Sequence, residues 1–451
     1  MHSLTSHTTI SRAARWPRTL RATVAAAGAV AALGACADQP TSATPTVAPS
    51  PHREVGTSSV FTITSKSGGY AEGTLAWAVA NAAHGDVIRF DPSLAGDTIA
   101  LDTTLKATNF VTIEGPADKG ITLSGKNERK VFHLKWGGTL RNVTIINGFN
   151  PNGSPIVSDG PLTLEHSTVA RNRGSGAAIK AIEVFLINST VSGNTGSDIA
   201  SGIAYEYRLT LDNSTVAHNG PAPGIGEYSG GWEPDVILRN SIVSDNGSPL
   251  RNCKSTLGFL YEGMNIASDY SCGNAVGIVV HDPRLLGLAD NGGPTMTEAF
   301  DYRSTALDAA PGCTVTVDQR YVPRLGTCDI GAYEFTDYTK VTITIDPNAT
   351  ADAANGFATV TGTVKCSRDG DRFGVTVDLQ QEQKVGKGTT IVRGTGGTGI
   401  TCMTSAQRWG VNVGGPFDSG PATATASTND PPVWVTPTTA SSTVRLGRPR
   451  R

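Results

Sequence analysis

The feature that most narrows what this chain can fold into is an internal repeat. Four segments align without gaps: Leu162-Thr-Leu-Glu-His-Ser-Thr-Val-Ala-Arg-Asn172, Val184-Phe-Leu-Ile-Asn-Ser-Thr-Val-Ser-Gly-Asn194, Leu209-Thr-Leu-Asp-Asn-Ser-Thr-Val-Ala-His-Asn219 and Val236-Ile-Leu-Arg-Asn-Ser-Ile-Val-Ser-Asp-Asn246. A looser copy, Leu140-Arg-Asn-Val-Thr-Ile-Ile-Asn147, precedes them, and the closing asparagines fall 25, 22, 25 and 27 residues apart. Such a period is one solenoid coil. Apolar residues at the first and third positions alternate with outward ones, the period of a strand, and Ser-Thr-Val adds a second β-rich stretch after a bend. A leucine-rich repeat has an overlapping period, but these coils lack its leucine spacing, contain no helical segment and are rich in β-branched residues and Gly. The expected fold is therefore all-β, a right-handed parallel β-helix with Leu and Val stacked inside. The closing asparagines are expected at a turn in left-handed backbone, with their amides bonded from coil to coil as a ladder.

A solenoid must cover its ends, because a terminal coil offers unpaired strand edges. Residues 73–83 carry the one clear helical pattern, with Leu75, Ala78, Val79 and Ala82 on one face and Thr74 as N-cap. They are expected to form a lid over the first coil. Strands are expected at 86–90, 98–101, 111–113, 121–123 and 131–134. The β-helix is assigned to residues 57–338, with 290–336 as its C-terminal cap. From residue 340 the style changes: 341–345, 357–366, 374–381, 389–393, 399–403, 408–413 and 422–427 all alternate in period two. That spacing predicts a β-sandwich of immunoglobulin-like architecture over 339–445. Trp409 follows the second cysteine of its pair instead of lying between the two, so the immunoglobulin sequence pattern itself is not met. Residues 446–451 form a basic tail.

The N-terminus reads as an address. Arg12, Arg15, Arg18 and Arg21 precede an apolar run, 24–33, too short to span a bilayer. It ends in Leu33-Gly34-Ala35-Cys36, which resembles the lipobox of bacterial lipoproteins, where the cysteine is lipidated. The alternative is an ordinary secretory signal cleaved near Ala35. Residues 1–36 are thus a signal peptide and 37–56, rich in Pro, Ser and Thr, a tether. The resemblance implies an exported protein, lipid-anchored in the cell envelope at the outer membrane or cell surface, with the membrane as partner. Of the seven cysteines, six remain after Cys36. They form three local pairs, expected as the disulfides Cys253–Cys272, Cys313–Cys328 and Cys366–Cys402. No CxxC occurs and no histidine sits at ligand spacing, so neither a metal nor a cofactor is expected. A net charge of −2 with 17% charged residues gives no electrostatic case for nucleic acid. A monomer is expected.

Two stretches carry a family resemblance. Residues 73–91, ending Gly85-Asp-Val-Ile-Arg-Phe-Asp91, resemble the start of bacterial surface proteins with a pectin-lyase-like fold. Asp290-Asn-Gly-Gly-Pro-Thr-Met-Thr297, Ala306-Leu-Asp308, Asp318-Gln-Arg320 and Cys328-Asp-Ile-Gly-Ala-Tyr-Glu334 resemble the choice-of-anchor Q family. Together they cover residues 57–336. Trp77 stands where relatives carry a polar or basic residue, and Gly-Gly-Gly-Ile coils are sparse. The resemblance implies architecture and a surface location, not a chemistry.

Carboxylates on the repeat register are the candidates for catalysis. The fourth position reads Glu165, Ile187, Asp212, Arg239. Glu165 and Asp212 are expected about 9.6 Å apart, two strand spacings, which is permissive for the about 6.5–9.5 Å of inverting glycosidases. The plainer reading is cross-strand charge pairing, as between Asp212 and Arg239. The tenth position reads Arg171, Gly193, His218, Asp245; His218 and Asp245 can orient a base, but no Ser or Cys completes a triad. Asp318, Arg320, Asp329 and Glu334 are expected as buried ion pairs. The aromatic residues Tyr205, Tyr207, Tyr228 and Trp232, with Glu206 and Glu233, lie in the longer loops of the third and fourth coils, and 220–234 is the largest insertion. Such rings stack on sugars, and solenoid insertions gather on one face. The competing reading is that they cover the side of the coil. The expectation is an envelope lipoprotein that binds glycans or surface partners without catalysis. Its rivals are a polysaccharide lyase or glycoside hydrolase on the same scaffold, and a purely structural envelope protein.

Overall fold

The structure, a computed structural model, describes residues 58–228, 235–247, 249, 251–255, 258–324, 326–432 and 435–449. The first part of this chain winds into a parallel β-helix with three long faces. Face one holds Leu105–Ala107 and Phe132–Leu134, the first halves of Ile156–Glu165, Ile179–Ile187 and Ile203–Asp212, then Ile225–Glu227 and Cys253–Lys254. Face two starts at Val60–Ile63, passes through Val87–Phe90, Val111–Glu114, Gly138–Arg141 and the second halves of those long strands, and ends at Asp235–Arg239 and Phe259–Glu262. Face three is a 9-stranded parallel sheet that includes Thr168–Ala170, Thr190–Ser192, Thr215–Ala217 and Ile242–Ser244.

The repeat alignment is the physical register. Leu162, Val184, Leu209 and Val236 stack on one another, as do Leu164, Leu186, Leu211 and Leu238, and all are buried. Val169, Val191, Val216 and Val243 fill the core from face three. A long strand bends across the corner between faces one and two, so the inward apolar set continues around it.

The asparagine ladder is present. Asn172 Nδ2 donates to Asn194 Oδ1 at 3.0 Å, Asn194 Nδ2 to Asn219 Oδ1 at 2.9 Å, Asn219 Nδ2 to Asn246 Oδ1 at 2.9 Å and Asn246 Nδ2 to Asn252 Oδ1 at 3.0 Å. Each Oδ1 also accepts the backbone N–H of the asparagine before it, at 3.0–3.1 Å. The left-handed backbone, however, does not fall on these asparagines. It falls one residue earlier, on Arg171, Gly193, His218 and Asp245, and at the fifth position, on His166, Asn188, Asn213 and Asn240. The tenth residue turns the corner, which leaves the closing asparagine free to point inward. A second ladder occupies the sixth position: Ser167 N donates to Ser189 Oγ at 3.2 Å, Ser189 N to Ser214 Oγ at 3.1 Å and Ser214 N to Ser241 Oγ at 3.1 Å.

The helix Leu75–Asn81 follows its N-cap Thr74, whose hydroxyl accepts from Trp77 N. Leu75, Ala78, Val79 and Ala82 join the solenoid core. The strand Val60–Ile63, which the sequence pattern did not reveal, pairs with Val87–Phe90 beneath it. At the other end Tyr261 donates to Cys272 O at 2.5 Å, and the Cys253–Cys272 disulfide ties this loop to face one.

The segment 290–336, expected as a cap, runs along the flank of the coils. Gly312 O accepts from Asn240, Thr314 meets Asn213, Val317 O accepts from Asn188, Gln319 O meets His166, and Tyr321 donates to Asn142 Oδ1. Chain order is therefore opposite to coil order. This strap covers Thr168, Thr190 and Thr215 on the outside of face three. Gln319 Nε2 donates to Thr168 Oγ1 at 2.9 Å, Thr190 Oγ1 donates to Gln319 Oε1 at 2.7 Å, and Ala332 N donates to Thr215 Oγ1 at 3.1 Å. Of the residues expected as ion pairs, Arg320 meets Asp318 at 2.7 Å; Glu334 pairs at 2.9 Å with Arg324, which the sequence reading did not name, and Asp329 accepts the backbone N–H groups of Asp308 and Phe335 instead.

The C-terminal module is a mixed 8-stranded sheet around its own core, consistent with a sandwich. Two expected strands, 389–393 and 399–403, are one strand, Gly388–Thr401, in a hairpin with Arg372–Val385. The glycines that read as a break are needed there, since a Cβ on Gly394 or Gly396 would lie 2.0 or 2.2 Å from the carbonyls of Gly414 and Asn412. Asn348–Asp352 and Thr439–Gly447 are further strands. All three expected disulfides are formed, with Cα separations of 5.0, 5.7 and 5.5 Å.

The ladder generates a direct expectation. Asn219→Ala leaves the buried backbone N–H of Asn194 and one of its Nδ2 hydrogens without an acceptor and removes one of the two donors to Asn246 Oδ1, and should cost about 3 kcal/mol. Denaturant unfolding monitored by circular dichroism measures it; a change below about 0.5 kcal/mol would show that the ladder does not hold the coils.

Candidate functional site

The three faces differ in how much of their outer surface is free. Face three lies under the strap. On face two the register brings Arg89, Glu114, Arg141, Glu165, Ile187, Asp212, Arg239 and Glu262 into one column. Neighbours about 4.8 Å apart alternate in sign, apart from Ile187. Arg89 and Arg141 reach Glu114 at 2.9 and 3.4 Å, Arg141 reaches Glu165 at 2.5 Å, and Arg239 reaches Asp212 at 3.9 Å and Glu262 at 2.5 Å. Burial pushes the Glu114 carboxyl up, but the two guanidiniums outweigh it and hold it below its usual range.

Glu165 and Asp212 therefore share a column two coils apart, each held by an arginine. Thr314 of the strap also donates to Asp212 Oδ1 at 2.5 Å. His218 takes a partner that the sequence register did not indicate: its Nδ1 lies 3.1 Å from Oε1 of Glu298, a buried residue of the strap that also accepts from Ser192 Oγ at 2.5 Å. The Glu298 bond raises the His218 pKa against the opposing effect of burial, and Asp245 adds a weaker electrostatic pull. Asp245 itself accepts from Ser244 Oγ at 2.7 Å. Ser192 and His218 meet the same carboxylate oxygen, so the histidine does not bridge serine and acid as a triad requires.

Face one is open. Two adjoining depressions, about 450 and 340 Å³, share Asn152, Gly153, Ser154 and Lys180 and form a continuous groove across successive coils. The floor is made of small residues, including Ser175, Gly176, Ala177 and Ala204. Lys180 and Ala204 face outward by register, aligned with His133 and Val157. The Lys180 ammonium lies 3.4 Å from the centre of the Tyr228 ring, and Tyr228 forms a wall of the groove. Lys130 and Glu206 line one depression and Asp198 the other, and none of the three carries an ion pair among the described residues. Asp159 holds His133 at 3.3 Å and Lys135 at 3.1 Å at the far end.

Of the aromatic candidates, Tyr228 is 45% exposed and Tyr207 55%. Tyr205 is 1% exposed. It aligns with Ala181 and Ser158 on the inner side of face one and bonds Ser255 Oγ at 3.3 Å. Two-residue alternation from the inward Ile203 requires this orientation. Trp232 and Glu233 lie outside the described residues, as does Cys36. No cluster of three or more metal-ligating side chains occurs among the described residues. No family model matches the chain, and no solved structure matches it.

Two groups near the strap titrate in one direction. Burial, then Glu334, pushes the Asp329 carboxyl from 3.8 up to about 8, and Glu298 lifts His218 above 6.5. Both bind protons more tightly folded than unfolded. Stability should thus fall as pH rises, between 3.8 and about 8 for Asp329 and above 6.5 for His218. His166 is shifted the other way by burial and opposes this below 6.5, so thermal midpoints measured from about pH 7 to about pH 9 should decline, and His218→Gln should flatten that part of the curve. A rise over that range would contradict the assignment.

Proposed function

We propose that this protein is an envelope-anchored display scaffold whose face-one groove binds glycans without transforming them. One observation carries this reading: among the described residues, face one brings polar groups without ion pairs and an aromatic wall around a connected groove. Sugars are bound by a ring for their C–H face and by polar groups for their hydroxyls. Tyr228 offers the first, and Lys180, Asn152, Ser154, Asp198 and Glu206 the second. The rival hydrolase reading needs two carboxylates free to exchange protons across a substrate. Glu165 and Asp212 are instead occupied by Arg141 and Arg239.

Anchoring rests on the 33–36 motif, with Cys36 as the lipidated residue. The three disulfides fit an oxidising compartment. No helix among the described residues is long and apolar enough to cross a membrane. The choice-of-anchor Q resemblance favours the same location.

A glycan array run beside reducing-end and unsaturated-product assays tests the groove. Tyr228→Ala and Lys180→Ala should each weaken binding about tenfold, equivalent to about 1.4 kcal/mol, with no turnover by the parent protein. Turnover abolished by Glu165→Gln or Asp212→Asn would replace this reading with the hydrolytic one. Separately, Cys36→Ser should move the protein from the membrane fraction to the soluble fraction; retention in the membrane would remove the lipid anchor from the proposal.

A further inference from the structure

The groove does not stop at Tyr228. Following the face-one register, Leu134, Ser158, Ala181 and Tyr205 occupy equivalent places on successive coils. Two residues beyond the first and the last of these, at the corner with face two, stand Trp136 and Tyr207, which are 62% and 55% exposed. Between them, by the same count, stand Gly160, which has no side chain, and Glu183. Lys135, next to Trp136, bonds Asp159, a residue of the groove wall. Trp136 therefore flanks one of the two adjoining depressions, and Tyr228 walls the other.

We infer that Trp136 and Tyr207 are additional aromatic platforms and that the ligand is a neutral, linear glycan lying along the solenoid axis; this rests on the glycan-binding reading above. Trp136 and Tyr207 belong to strands three spacings apart, about 14 Å, and the coil that bears Tyr228 is one spacing further, about 19 Å from the first. That length accommodates an extended oligosaccharide, not a single sugar. A large indole left in water serves no packing purpose, whereas a flat ring beside a hydroxyl-rich groove is the surface a pyranose stacks on. The charge of the groove selects the class. Lys130 and Lys180 stand against Asp159, Asp198 and Glu206, and Asp159 is matched by Lys135, so the groove offers no positive excess and a polyanion gains nothing overall. Neutral hydroxyls can donate to the carboxylates and accept from the lysines.

Calorimetric titration of the full chain with length series of β-glucan, mannan and xylan oligosaccharides tests this, with oligogalacturonate and alginate oligosaccharides as polyanionic comparators. At least one neutral series should bind, gain affinity with each added sugar until the groove is spanned, and change less than about twofold between about 50 and 500 mM salt. Trp136→Ala should erase the gain shown by the longest members, about tenfold, and leave the shortest unaffected, while Trp136→Phe should keep most of it. Trp136 is exposed, so the alanine variant should retain the circular dichroism and melting behaviour of the parent. A length-independent affinity, or an unchanged one in Trp136→Ala, overturns the inference. So does binding confined to the polyanions; if that binding still needs Tyr228, the groove reading survives without this extension. Absence of binding to every series overturns both.

Discussion

The structure depends on buried amides that tie each coil to the next. A parallel strand pair satisfies its own backbone, but a corner does not, and a corner buried without partners is costly. The closing asparagine solves this with one side chain. Its oxygen accepts both a side-chain and a backbone N–H from the preceding coil, and its nitrogen donates onward and to a carbonyl such as Val191 O. Because the geometry repeats only when coils sit in one register, the ladder sets which residues face inward. A slip of one residue would turn the leucines outward and place an asparagine against hydrocarbon.

Register then allocates the exterior. Columns of side chains about 4.8 Å apart become surfaces of distinct kinds. On face two the column alternates in charge and neutralises itself. On face three the threonines are too small and too polar to form a core, yet they are buried, because the strap brings the Gln319 amide and backbone groups to meet them. Face one keeps small residues and a lysine, and remains a groove. The same repeat that builds the rod thus leaves one long side of it uncommitted.

Much of the rod was legible because its signals are local and periodic. Alternating Leu and Val, the spacing of the asparagines and the helix at 75–81 each need only neighbouring residues to be read. What escaped involves distant partners or an unrepeated position. Glu298 lies 80 residues from His218, and Tyr321 lies 179 residues from Asn142. The serine ladder was visible as an invariant sixth position in all four segments, but its hydrogen bonds follow only once the coils are stacked. Tyr205 and Tyr207 are two residues apart, which by simple alternation puts them on one side; the corner between faces one and two separates them, leaving one inside and the other outside. Trp136 sits outside the repeated segments and offered no pattern, although its position two residues past the register point of Tyr205 was there to be counted.

The strap also imposes an order of events. Its residues follow the coils they bind in sequence, and the leg from Gly312 to Tyr321 runs back down the rod. A chain emerging N-terminus first can stack each coil on the one before, with mostly short-range closure. The threonine column must then stand bare until the last third of the chain arrives. The rod is an incomplete object until that moment, with a sticky seam along its length, whereas the module that begins at Val341 has a core of its own. Premature truncation anywhere before the strap would therefore yield rods that associate through their flanks, not rods that are merely shorter.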